Sequence, residues 1–206
     1  PEVILGVPYD GAIDIWSLAC VCAEMYLGLP LFPGVSQHNQ ISRVVKMLGT
    51  PPDIMIEGKN GPKYYNKRRE PAKDKSRYQL KTPEEYAKDT NTEPPVLKKY
   101  LRYDELDEVI MKTPFTTKKL TQEQKKEEMH RRESFLDFLK GIFRVNPFER
   151  WTAKQALGHP FIAGSSYTGP YVPEFDAKVN ERKLAFLLQM QRRGYSGPSL
   201  ISICRT

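Results

Sequence analysis

Few side chains in this sequence are placed for proton-transfer or metal chemistry. The three histidines, His38, His130 and His159, stand far apart, and none has a nucleophile or a carboxylate at the spacing of a hydrolytic motif. Solvent-facing or packing roles are expected for all three. Cys20 and Cys22 sit one residue apart inside an apolar run, with Cys204 near the end. That spacing does not make a zinc knuckle, and the scattered histidines supply no second ligand pair, so the thiols read as buried groups in a reducing compartment. Lys67-Arg68-Arg69 could contact phosphate or serve nuclear import, yet within a basic stretch it reads more simply as a solvated charge run. One carboxylate is better placed: Asp14 falls in the first turn of an apolar helix, where the free N–H groups and the helix dipole favour negative charge.

The elements that position these groups are helical. Apolar residues occupy nearly every face from Ile13 to Leu27, as in a helix surrounded by protein, and Gly28 ends it. This central helix is expected to be the core. Leu29-Pro30-Leu31-Phe32-Pro33-Gly34 makes a loop, and Ser36 is a fitting N-cap for a second helix, whose Ile41, Val44, Val45 and Leu48 share one face until Gly49 stops it. Its other face is free for a partner. Residues 53–130 are dense in charge and proline and lack strong amphipathic periodicity, so they read as an insertion, partly mobile, with short helices near 82–87 and 103–111. Order returns near Glu133: Phe135, Phe138, Leu139 and Ile142 mark a helix face, and Thr152-x-x-Gln155 is a capping-box start. After His159-Pro160-Phe161 comes a tail rich in Gly, Ser and Tyr with one more helix over 176–193, carrying Leu184, Leu187 and Leu188 on one side and stopped by Gly194. No strand is expected.

Composition narrows the function classes. The 206 residues carry a formal charge of +7, distributed as about −2 over residues 1–52, +4 over 53–133 and +5 over 134–206. A basic excess spread this thinly is not the concentrated stripe of a nucleic-acid footprint. The longest apolar run, from Ile15 to Leu27, is broken by Ser17 and Glu24 and falls short of the roughly 20 residues of a membrane span. No basic-then-apolar leader or Arg-rich transit segment is recognisable, and a cytoplasmic and/or nuclear location is expected, without nucleic-acid or membrane partners.

The order of the motifs says more than any one of them. Pro1-Glu2, the Asp14-Ile15-Trp16-Ser17 turn, Pro30-Leu31-Phe32-Pro33-Gly34, Leu48-Gly49-Thr50-Pro51, Pro147-Phe148-Glu149-Arg150 and His159-Pro160-Phe161 together resemble the C-terminal lobe of a eukaryotic protein kinase, colinearly from residue 1 to about 161. The insertion after the second helix is similar to that of the CMGC group, which contains cyclin-dependent, MAP and dual-specificity tyrosine-regulated kinases. Tyr64-Tyr65-Asn66-Lys67, Lys98-Lys99-Tyr100, Phe135-Leu136-Asp137-Phe138, Asn146-Pro147-Phe148-Glu149-Arg150-Trp151 and Thr168-Gly169-Pro170 look most like the Yak-type branch of the dual-specificity family.

The resemblance implies a mainly α fold, helices F to I of the large lobe, with a long insertion and no N-terminal β-lobe. Residues 1–52 and 131–161 would be lobe core, 53–130 the insertion and 162–206 an extension. It implies that Pro1-Glu2 closes the activation segment, that Glu2 pairs with Arg150, and that Asp14 accepts hydrogen bonds from the catalytic loop, with Trp16 packing nearby. Gln37, Gln40, Arg43 and Lys46 would belong to a docking face. It further implies an ATP- and magnesium-dependent serine/threonine, or dual-specificity, kinase acting on protein substrates. Yet no G-x-G-x-x-G, Val-Ala-x-Lys, His-Arg-Asp or Asp-Phe-Gly occurs in these residues. No residue here is therefore expected to be a catalytic base, nucleotide ligand or magnesium ligand. The chain is expected to be a C-terminal kinase fragment that needs the N-terminal part of the domain as partner; the alternative is an interaction module or a kinase remnant without ATP binding. A central helix lacking its catalytic loop should leave an apolar patch exposed.

Overall fold

The computed structural model describes residues 1–70, 76–94, 98–117 and 119–192, and the remaining positions, Cys204, Gly194 and Arg193 among them, lie outside the described residues. The chain opens with α1 (Glu2–Leu5), closed by Gly6 at φ 69°. After a short loop, Asp10 Oδ1 accepts from the Ala12 amide at 2.9 Å and starts α2 (Ala12–Leu27), which ends at Gly28 in the left-handed conformation that glycine adopts without strain. α3 (Gln37–Leu48) begins as expected at Ser36, whose side chain accepts from the Asn39 amide, and stops at Gly49.

The described residues between 53 and 121 include the two short helices expected there and further elements. They make α4 (Asp53–Ile56), α5 (Gly61–Tyr64), a hairpin of β1 (Tyr65–Lys67) and β2 (Tyr78–Leu80), α6 (Pro83–Thr90) and α7 (Leu106–Met111). The hairpin corrects the expectation of no strand: Tyr65 pairs with Leu80 and Lys67 with Tyr78 in antiparallel register, over only three residues a side. Strands that short show too little alternation to be read from sequence. α6 carries a complete capping box, Thr82 with Glu85, and has Pro83 in its first turn.

α8 (Gln122–Ile142) starts about ten residues before the expected point, from a Thr121/Gln124 capping box. Its first three turns are almost wholly polar, so periodicity becomes visible only where the buried Phe135, Phe138, Leu139 and Ile142 begin. α9 (Ala153–Leu157) starts at the Thr152/Gln155 capping box, and α10 (Pro160–Ala163) follows His159. α11 (Ala177–Arg192) closes the described chain.

Two apolar clusters hold these elements. The first gathers α2, α3, α7, α8 and α9 around Phe138, Leu139, Ile142 and Phe143, with Trp16, Phe32 and Phe143 meeting ring to ring at centroid distances of 5.2–6.1 Å. Each buried side chain of this size contributes about 1.5–3 kcal/mol relative to exposure. The second cluster joins Leu5 and Val7 to Ile41, to Met55, Ile56, Tyr64 and Tyr65, and to Phe186, Leu187 and Met190 of α11. Of the three leucines expected on the packed side of that helix, Leu187 is buried but Leu184 and Leu188 are exposed; the buried face is 186, 187 and 190, with Arg182 one turn before. Each short element between residues 53 and 111 thus supplies three core side chains at most, too few to mark a period.

Candidate functional site

The site is assembled around Arg150, at the end of a turn that begins where α8 stops. Asn146 Oδ1 accepts from the Phe148 amide, and the Glu149 and Arg150 amides return to Asn146 O, so the chain reverses and aims Arg150 inward. Gly141 permits that turn to close. A methyl group on it would lie 2.2–2.3 Å from atoms of the Trp151 ring, which stacks directly on the helix there.

Arg150 is fully buried, and every side of its guanidinium is used. Nη1 donates to Glu2 Oε1 at 2.7 Å and Nη2 to Glu2 Oε2 at 3.2 Å, a bidentate pair across 148 positions of sequence. Nη1 also donates to Ala12 O at 2.7 Å, and Nε to Arg144 O at 2.9 Å. The guanidinium carbon lies 4.9 Å from the Trp16 ring centroid, so the indole forms one wall of the clamp. One residue therefore ties α1, the start of α2 and the turn after α8 together. Glu2 is 1% exposed. Burial pushes its carboxyl up, but the hydrogen bond from Arg150, the Pro1 amino group 3.3 Å away and the Arg150 charge together hold it below its ordinary value.

The other expected site residues lie apart from this clamp or are engaged otherwise. Asp14 is exposed in the first turn of α2 and makes no side-chain hydrogen bond or ion pair with the described residues; Asp10 does the capping. Leu18, Val21 and Met25 follow Asp14 on the same helix face, 44%, 51% and 81% exposed, so α2 is not buried all round as its sequence suggested. That stripe is the exposed apolar patch expected above. The α3 face is engaged but not closed: Gln37 Oε1 accepts from the Tyr64 hydroxyl at 2.6 Å, Gln40 Oε1 from the Gly34 amide, Arg43 donates to Lys98 O, and Lys46 pairs with Asp104 at 2.9 Å. The preceding loop and later segments hold these side chains, while Gln37 and Lys46 stay exposed and a groove remains open between α3 and residues 98–104.

The histidines split as their surroundings dictate. His130 is exposed beside Glu133. His38 is buried, stacked on Tyr86 at 4.5 Å, with Nε2 donating to Lys81 O at 2.8 Å. His159 meets a carboxylate that spacing did not reveal: its Nδ1 accepts from the Phe161 amide, so Nε2 carries the proton and donates to Asp137 Oδ2 at 3.3 Å. Asp137 Oδ2 also accepts from the Tyr171 amide at 2.7 Å, pinning the tail to α8. Burial lowers the His159 pKa from its ordinary value, with the Asp137 hydrogen bond opposing. Twenty-two positions separate the two residues, and only the placement of Asp137 between buried Leu136 and Phe138 hinted at an inward carboxylate. Cys20 and Cys22 are free, partly buried thiols, and burial raises Cys20 to about 11, far from a reactive thiolate. Among the described residues no three His, Cys, Asp or Glu side chains converge as a metal-holding group, and no helix is long and apolar enough to cross a membrane.

Comparison with known proteins matches residues 1–162 to the protein kinase domain. The chain is 44% identical over 171 residues to the serine/threonine-protein kinase ppk15 of Schizosaccharomyces pombe, covering 82% of this chain and 31% of that protein. It is 40% identical over 177 residues to the dual specificity protein kinase YAK1 of Saccharomyces cerevisiae, covering 84% and 22%, and 40% identical over 187 residues to the probable serine/threonine-protein kinase yakA of Dictyostelium discoideum, covering 84% and 13%. The chain thus spans less than a third of the length of these relatives. With a buried Glu2–Arg150 clamp, a mainly helical fold in which a hairpin is the only sheet among the described residues, and these matches, the chain belongs to the protein kinase family, in its Yak-like branch.

Proposed function

We propose that this chain is the C-terminal part of an ATP-dependent protein serine/threonine kinase, possessing dual specificity as some of its relatives' names do, and that it acts as scaffold and docking surface rather than as the seat of phosphoryl transfer. The observation that carries the reading is the exposed face of α2. Asp14 stands without a partner among the described residues at the head of an apolar stripe, Leu18, Val21 and Met25, on a helix whose other sides are packed. In the proposal an upstream part of the kinase domain covers the stripe, and backbone amides of the catalytic loop donate to Asp14. The Glu2–Arg150 clamp then fixes the protein-substrate end of the lobe.

The support for placing magnesium nucleotide outside this chain is the sequence, which has no G-x-G-x-x-G, Val-Ala-x-Lys, His-Arg-Asp or Asp-Phe-Gly. ATP and magnesium would be held by the rest of the intact enzyme. Free, partly buried thiols support a reducing compartment, cytoplasm or nucleus, as its place of work.

The test is phosphotransfer to a protein substrate by a longer polypeptide that contains this chain. Asp14→Asn should lower kcat by roughly tenfold or more while costing this chain at most about 1 kcal/mol of stability, since among the described residues only the helix dipole favours the Asp14 charge. Unaltered kcat in that variant would refute the assignment of Asp14.

A further inference from the structure

A second site lies away from the clamp, where residues 98–104 cross α3. The two segments frame an open groove of about 230 Å³. Its floor is apolar, from Leu31, Met47 and Leu101, and its rim is cationic, from Arg43, Lys46, Lys98 and Lys99. A single carboxylate, Asp104, faces these four cations, 2.9 Å from Lys46 and 3.6 Å from Lys99. The local balance is therefore strongly positive in a part of the chain whose acidic residues are otherwise interspersed.

The cations are not equally mobile. Arg43 Nε donates to Asn39 Oδ1 at 3.1 Å, Nη2 donates to Lys98 O at 3.0 Å, and the guanidinium lies 5.7 Å from the Tyr100 ring centroid. Its plane is fixed in advance, and Nη1 has no partner among the described residues, a donor ready for a carboxylate. Lys46 and Lys99 are 62% and 64% exposed at the side chain, able to turn from Asp104 to a ligand. Arg43 covers one face of the half-exposed Tyr100 ring and Lys112 lies over Tyr103, which leaves less aromatic surface than the successive stacking platforms of single-stranded nucleic-acid binders. The volume is also below the roughly 300–1,000 Å³ of a small-molecule pocket.

We propose that this groove docks an acidic segment of a partner protein, whose carboxylates meet Arg43, Lys46 and Lys99 while one apolar side chain enters between Leu31 and Met47. The inference rests on the reading of α3 as a docking face and gives that face an occupant. Charge complementarity selects the segment and speeds its arrival, and the apolar floor holds it. Residues 98–104 shape the site by covering α3, so the insertion builds the groove where the bare helix would offer only a ridge.

The test is fluorescence anisotropy of this chain with a short labelled peptide of glutamate and aspartate around a single leucine. Saturable binding is expected that weakens as salt rises, falls about tenfold in the Lys46→Glu, Lys99→Glu double variant, and falls again when alanine replaces the leucine or glutamine and asparagine replace the acids. Lys99→Glu alone, at a side chain in water, guards against a folding defect. Absence of binding, equal binding by the double variant, or equal binding of oligothymidylate would overturn the proposal, as would a dimer of this chain that the double variant dissolves. No ATP enters the experiment, so its failure leaves the kinase reading, tested by phosphotransfer, untouched.

Discussion

Arg150 and Glu2 form a buried ion pair in which each carries the charge that makes the other tolerable. Removing one partner leaves an uncompensated charge in the interior, so Arg150→Ala should destabilise the chain by about 3–5 kcal/mol, read as a lowered urea midpoint at unchanged slope. An unchanged midpoint would count against the clamp. The pair also makes stability depend on pH. The Glu2 carboxyl is depressed in the folded state, so its contribution is full above the unfolded value near 4.5 and is lost as pH falls through the folded one. His159 adds an earlier limb: it is held neutral below its ordinary 6.5, the unfolded chain takes up that proton first, and stability declines as pH drops from there. Denaturation midpoints measured across acid pH should thus show two declines, the upper removed by His159→Gln and the lower flattened by Glu2→Gln. At this scale the sequence was legible through resemblance: Glu2 and Arg150 could be named because Pro1-Glu2 and Pro147-Phe148-Glu149-Arg150 resemble kinase motifs whose likeness implies the pair. Asp137 could not, because its partnership depends on how α8 faces the His159 turn 22 positions later.

Elements show a different limit. The α2, α3 and α9 boundaries followed from Gly28, Ser36, Gly49 and the Thr152/Gln155 box, because caps are local chemistry. The hairpin, the early start of α8 and the facing of α11 did not, because three-residue strands, a polar helical start and a helix with leucines on two faces carry no decisive period. The α11 assignment can be checked by paired substitutions: Phe186→Ala should cost about 3–5 kcal/mol through loss of its packing on Phe148, while Leu184→Ala should stay within about 0.5 kcal/mol. Comparable effects would mean that the helix is turned. Gly141→Ala tests the other end of the core: with the Trp151 ring at 2.2 Å from the added methyl, a loss of about 1–3 kcal/mol and a shifted tryptophan emission are expected.

For the whole molecule, the two apolar clusters are joined by the clamp, and one helix face is left uncovered. An all-apolar pattern on α2 correctly marked it as central but implied more cover than the described residues give. Leu18, Val21 and Met25 in water should drive self-association of the chain, read by sedimentation velocity as a sedimentation coefficient rising with concentration, and Met25→Lys should reduce it. In the function proposed above, this chain builds and braces the substrate end of a Yak-like kinase while the nucleotide is held elsewhere. Isothermal titration of the chain with magnesium ATP tests it most directly. No measurable heat of binding is expected into the millimolar range; saturable, magnesium-dependent binding at micromolar nucleotide would contradict that role.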